Sequence, residues 1–171
     1  MTITMDSTDR IDPPTVADER TLLTGFLDHQ RDTLAWKCSG LTDEQLALRA
    51  VEPSGLSLLG LLRHLTEVER GWFDHVIGGE ELTRTYYSED NPDGDFNDLG
   101  THSPAEVYET WRAACARSRE IAAAHELDFE GSRPHRKYAL RWVLIHMIEE
   151  YARHNGHADF LRERIDGATG E

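Results

Sequence analysis

The chain has 171 residues, 39% of them hydrophobic and 29% charged, the composition of one ordinary globular domain with a sizeable core. Its 32 acidic against 18 basic residues give a formal charge of −14, which repels phosphate backbones and anionic lipid surfaces, so no nucleic acid partner is expected. No stretch approaches the roughly 20 apolar residues that span a bilayer, and two cysteines, Cys38 and Cys115, are too few for a disulfide framework or a zinc–cysteine cluster and are expected to pack as reduced side chains.

Residues 1–17, "MTITMDSTDRIDPPTVA", are polar and acidic without the apolar core of a signal peptide, and read as a flexible tail on a cytoplasmic protein. From residue 18, "DERTLLTGFLDHQRDTLAWKC" sets Leu22, Leu23, Phe26, Leu27, Leu34 and Trp36 mostly three and four apart, the period of a first long helix. In the link that follows, Thr42 can cap one short turn, and Pro53 with Gly55 breaks the chain. Ser57 then caps a second helix whose stripe runs Leu58, Leu61, Leu62, Leu65, Val68, Trp72 and which Gly78 and Gly79 end. Residues 80–102, rich in Asp, Asn, Gly and Pro, read as a long surface connection. Ser103, Pro104 and Glu106 form a capping box with proline at its favoured place, opening a third helix to about Ala124. A short loop with Gly131 and Pro134 leads to a fourth, "YALRWVLIHMIEEYARHNGHADFLRERIDG", closed by Gly167. No strand is expected. Four amphipathic helices and one long connection predict an all-α four-helix bundle over residues 18–168, a fold that builds its sites from side chains on facing helices.

The fourth helix carries the chemistry. Its inward line runs Leu140, Val143 or Leu144, Met147, Glu150, His154, Ala158, Leu161, so an acid and an imidazole four apart interrupt an apolar stripe. A carboxylate on that line needs a cation, a donor network or a metal, because burying it alone costs several kcal/mol. On the second helix His64 is likewise polar within the line Leu61, Leu65, Val68. If these helices are neighbours, His64, Glu150 and His154 form a two-His, one-carboxylate set, the count of a catalytic zinc or similar ion with one position open. His157 and His146 lie within reach of the same region, as further ligands or as supporting partners. Glu149 is turned about 100° from Glu150 and pairs more naturally with Arg153, while His29, His75, His102, His125 and His135 fall on polar faces or loops. A buried Glu–His network without metal stays open. Neither "HExxH", a Gly-rich phosphate loop nor "GxSxG" occurs.

The segments "GLSLLGLLRHLTEVERGWF" and "LRWVLIHMIEEYARHNGHADFLRERIDGATG" closely resemble the DinB-like superfamily, in its mini-circle protein branch, a domain of unknown function. The resemblance covers nearly the whole chain from about residue 18 and implies a four-helix bundle that holds a divalent metal, commonly zinc or nickel, on three side chains. Many members place two histidines four apart on the last helix. Glu150 at the first of those positions is similar instead to the mycothiol-dependent maleylpyruvate isomerase branch, which implies His64, Glu150 and His154 as ligands. The usual His-Arg-Gly-Gln ending reads His154, Asn155, Gly156, His157.

By resemblance the chain is expected to be a metal-dependent thiol S-transferase or isomerase in detoxification. A low-molecular-weight thiol such as mycothiol would attack a small electrophile. The alternative is a non-enzymatic metal-binding stress-response bundle. The two readings differ at the fourth coordination position, which an enzyme leaves open to a pocket and a structural site closes with His157 or His146. No membrane partner is expected, and homodimerisation is left open.

Overall fold

Each long helix begins where the sequence offers a partner for its unpaired N–H groups. In the computed structural model, which describes residue 3 and residues 10–170, Asp18 accepts from Thr21 N–H at the head of α1 (Glu19–Cys38). Thr42 and Gln45 close a capping box on the short α2 (Asp43–Ala47), and Ser57 accepts from Gly60 N–H to open α3 (Leu58–Glu69). A four-residue α4 (Gly94–Asn97) and a 3-10 turn (Leu99–Thr101) follow, then α5 (Pro104–Ala123) with the Ser103–Glu106 capping box. Two strands, β1 (Glu130–Arg133) and β2 (Arg136–Ala139), precede α6 (Leu140–Asp166), which ends on Gly167 at φ 79°. Helix α1 packs chiefly on α6 and α3 on α5, while α3 also touches α6, and the expected all-α bundle is the observed one. Residues 1, 2 and 4–9 of the tail expected at 1–17 lie outside the described residues, but Ile3 is buried and its carbonyl accepts from Gly40 N–H at 2.9 Å.

Three features depart from the sequence reading. The loop expected before the last helix is an antiparallel hairpin pairing Glu130 with Ala139 and Arg133 with Arg136. Its strands, "EGSR" and "RKYA", are too short and polar to show an alternating pattern. The hairpin also explains why α6 has no side-chain cap: Leu140 and Arg141 N–H donate to the Phe129 and Leu127 carbonyls instead, so the helix starts at Leu140 rather than Tyr138. The second long helix changes character at Arg70 and continues to Ile77 as π-helix, with Gly78 N–H donating to the Phe73 carbonyl at 2.7 Å. Such wide turns concentrate at functional sites. The connection at 80–102 holds α4, whose Asp95 is buried.

The hairpin docks on the π-helical segment through Gly131. A Cβ there would lie 2.0 Å from the Val76 carbonyl oxygen and 2.7 Å from its carbon, both backbone atoms that cannot swing aside. Gly131→Ala should therefore cost about 1–3 kcal/mol as an overpacking strain, read as a lower urea midpoint at unchanged m value.

The core is more polar at its centre than the stripes suggest. Arg31 of α1 donates from Nε and Nη2 to the two carboxylate oxygens of Glu69, each at 2.7 Å, with exposures of 3% and 0%. The Tyr151 hydroxyl of α6 donates to Glu69 at 2.8 Å and accepts from the Trp111 indole of α5 at 2.9 Å, with the Cys115 sulfur 3.6 Å from both Tyr151 and Glu69 oxygens. One buried network thus ties all four long helices at a single level. Burial alone would raise the Glu69 carboxyl, yet the Arg31 charge and the bonds from Arg31, Ser118 and Tyr151 hold it below its ordinary value. Burial pushes the Cys38 thiol up to about 12, and burial, then the Glu69 charge, raise Cys115, so both pack as unreactive thiols. At this level of α6 the buried position is Tyr151, and Glu150 sits one residue round on the flank, half-buried.

Candidate metal centre

That flank is where α3 and α6 meet. His64 from α3 and Glu150 with His154 from α6 bring one donor atom each within 4.8 Å of one another. His154 Nε2 lies 3.6 Å from a Glu150 oxygen. For metal–ligand bonds near 2.1 Å in a tetrahedron, adjacent donors sit about 3.4 Å apart, so the α6 pair needs almost no adjustment.

Supporting contacts orient both imidazoles. His64 Nδ1–H donates to Asp95 at 2.9 Å, which leaves the Nε2 lone pair to face an ion, and the ring stacks on Phe96 at 5.0 Å and 28°. Asp95 is held in turn by Arg63, whose Nε donates to the Asp95 carbonyl at 2.9 Å and whose Nη2 donates to that of Gly94 at 3.0 Å. Gly94 is required for this turn, since a Cβ there would meet the Tyr86 carbonyl oxygen at 2.7 Å. The His154 Nδ1 faces His157 Nδ1 at 3.4 Å, leaving Nε2 toward Glu150. Burial, then the neighbouring His64 and His157, push His154 down to about 4, so its ring is neutral and its lone pair available at neutral pH.

The donor chemistry fits a divalent cation. Among the described residues no lysine or arginine pairs with Glu150, whose only partners within 4 Å are the imidazoles of His146 at 3.7 Å and His154. A half-buried carboxylate with only imidazole nitrogens around it is a poor hydrogen-bonding arrangement and a good ligand set. Neither His146 nor His157 belongs to the converging group. His146 is stacked on Trp142 and edge-on to Trp72, while Glu149 bonds Arg153 at 2.8 Å, as its spacing suggests. Asn155, the residue after His154, donates to Gln30 of α1, and His157 faces His154. Of the histidines read as peripheral, His102 and His135 are exposed, and His29, His75 and His125 are half-buried.

Asp95 escaped the sequence reading because "NPDGDFNDLG" carries only turn chemistry, and nothing local separates the one aspartate that faces His64 from its neighbours. A pocket of about 470 Å³ opens beside the centre, lined by His64, Asp95, Trp72, Tyr87, Leu82 and Arg133 among others. Trp72 and Gly71, both on its wall, belong to the π-helical segment. Among the described residues no helix is long and apolar enough to cross a membrane.

A comparison with curated proteins finds no match. A family model described as mycothiol S-transferase matches residues 22–167, a span that takes in all four long helices but the first residues of α1, the hairpin, the α3–α6 flank and the pocket. The chain belongs to the mycothiol S-transferase family, a member of the DinB-like superfamily, and its function is that of a mycothiol-related transferase.

Proposed function

We propose that this transferase is metal-dependent and that His64, Glu150 and His154 hold a divalent ion, zinc in the first place and nickel as an alternative. The reading is carried by the convergence of their donor atoms within 4.8 Å at the edge of a solvent-reaching pocket. When bound, such an ion supplies Lewis acidity that favours the thiolate of a low-molecular-weight thiol such as mycothiol. The protein's own residues set the stage. Asp95 fixes the His64 tautomer, His157 faces the far nitrogen of His154, and Trp72 with Tyr87 gives the pocket apolar walls that limit water. In the transfer, sulfur forms a bond to carbon and the thiol gives up its proton. The electrophile either releases a leaving group or takes up a proton. The thiol and the electrophile are the expected small-molecule partners.

A closed, purely structural centre is the competing reading. It fits less well because His146 and His157 do not join the donor set and the pocket reaches His64. Cobalt substitution separates the two. Titration of the cobalt protein with mycothiol should add an intense near-ultraviolet sulfur-to-metal band, and the same protein should consume the thiol with an electrophile such as monochlorobimane. A cobalt spectrum that no thiol alters, together with no thiol consumption, would leave the structural centre standing.

A further inference from the structure

We propose that Arg133 is the anchor for a carboxylate on the electrophilic substrate, so that the pocket selects anionic over neutral electrophiles. This deepens the transferase reading and rests on it for the word substrate, though not for the binding itself.

In a chain with 32 acidic residues, most arginines find a carboxylate or a carbonyl. Arg31, Arg63, Arg117, Arg119, Arg141 and Arg162 all do so. The Arg133 guanidinium is different. Its carbon sits 3.9 Å from the centre of the Trp72 ring, and Nη2 would be 3.7 Å from a Cβ at Gly71, so the group lies against the π-helical wall. The residue is half-buried, and among the described residues its side chain has no hydrogen bond or ion pair. The same pocket wall carries His64, one of the proposed ion ligands.

The pocket's acids are already committed. Glu67 accepts from the Thr85 and Tyr86 N–H groups at 2.7 and 2.6 Å, and Asp95 accepts from His64 and from Phe96 N–H. Neither is within ion-pairing distance of Arg133, so its charge is left for a ligand. Arg84, the pocket's other arginine, is exposed and pairs with Glu89 at 3.4 Å. A guanidinium held against an aromatic face loses part of its rotational freedom before any ligand arrives, and its N–H fork can take a carboxylate through two parallel bonds. The net charge of −14 would otherwise disfavour an anion anywhere near this surface, so an uncommitted cation beside the centre has a specific use. Val68, Leu82, Pro92 and Tyr87 complete the wall for the carbon body of the same molecule.

Benzoate and benzamide, alike in shape and different in charge, test this on the purified full chain by titration calorimetry, with no need for turnover. The wild type should bind benzoate more tightly than benzamide, and Arg133→Met should weaken benzoate about tenfold or more while leaving benzamide within about twofold. Where Arg133→Met does not fold, Arg133→Gln is read in the same way. Equal benzoate affinity in wild type and variant, no preference for benzoate over benzamide, or no benzoate binding at millimolar concentration each overturns the assignment. In turnover, the KM for iodoacetate relative to iodoacetamide should rise in the variant, while the KM for the thiol should not follow. Arg133-dependent benzoate binding without any thiol transfer would sink the transferase reading and keep this one.

Discussion

Arg31→Met is expected to cost about 3–5 kcal/mol of stability, the cost of leaving a buried carboxylate without its partner. In a chain of this length that is a fall in Tm of roughly 10 °C. Both members of the pair are essentially inaccessible, and the two 2.7 Å bonds are replaced by nothing that can carry charge. The other groups that hold Glu69, the Tyr151 and Ser118 hydroxyls and the Cys115 thiol, are neutral. The sign of the pH dependence follows. In the wild type Glu69 titrates below its ordinary value, so its contribution is present above the unfolded carboxyl value and is lost as pH falls through the folded one. In Arg31→Met the same carboxyl is raised by burial, and the variant is penalised only while the group is ionised. The deficit should be greatest at neutral pH and shrink as pH falls toward about 4.3. Arg31→Met with Glu69→Leu should recover much of the loss, since an apolar replacement of both partners removes the unpaired charge. A deficit that is flat between pH 7 and pH 5, or a double variant no better than the single, would mean that Glu69 finds compensation elsewhere.

The same pair marks where sequence reading stops. Helix starts were legible because a cap is a local event, a side chain reaching two or three residues along. Ser57, Thr42 and the Ser103–Glu106 box could all be read before any packing was known. His64, Glu150 and His154 were legible because polar groups broke otherwise apolar lines. Arg31, between Leu27 and Leu34, and Glu69, between Leu65 and Trp72, break such lines too, but nothing on either helix says that each is the other's partner. Their pairing depends on four helices meeting at one level, which no single helix encodes. Asp95 and the β1–β2 hairpin were hidden for a related reason. Their segments are dense in residues that favour turns, and only Arg63 reaching across 31 and 32 residues, or Gly131 lying on Val76, gives one arrangement an advantage. The inward line on α6 was one residue out at its centre, with Tyr151 taking the core and Glu150 the flank. That offset has a functional sense. A ligand set at the flank can meet a pocket, whereas one at the centre would be sealed by the bundle.

His154→Ala should abolish stoichiometric divalent-metal binding and leave a folded helical protein. The loss follows from taking one of three donors out of a set that has no replacement, since His157 faces the far nitrogen of His154 and His146 is clamped between Trp72 and Trp142. The fold should survive because the core stripes of α1, α3, α5 and α6 and the Arg31–Glu69 network do not depend on this residue. Asp95→Asn should be graded rather than absolute, a loss of about 10–100-fold in metal affinity, because an amide orients His64 less firmly than a carboxylate. Zinc at about a hundredfold excess over Kd should stabilise the wild type by about 2.7 kcal/mol, or roughly 5–10 °C in Tm. It should do almost nothing to His154→Ala. Elemental analysis, circular dichroism and thermal melts with and without metal read all three proteins. An unfolded His154→Ala would mean that the ion staples the bundle, and full metal content in that variant would move the centre away from His64, Glu150 and His154 altogether.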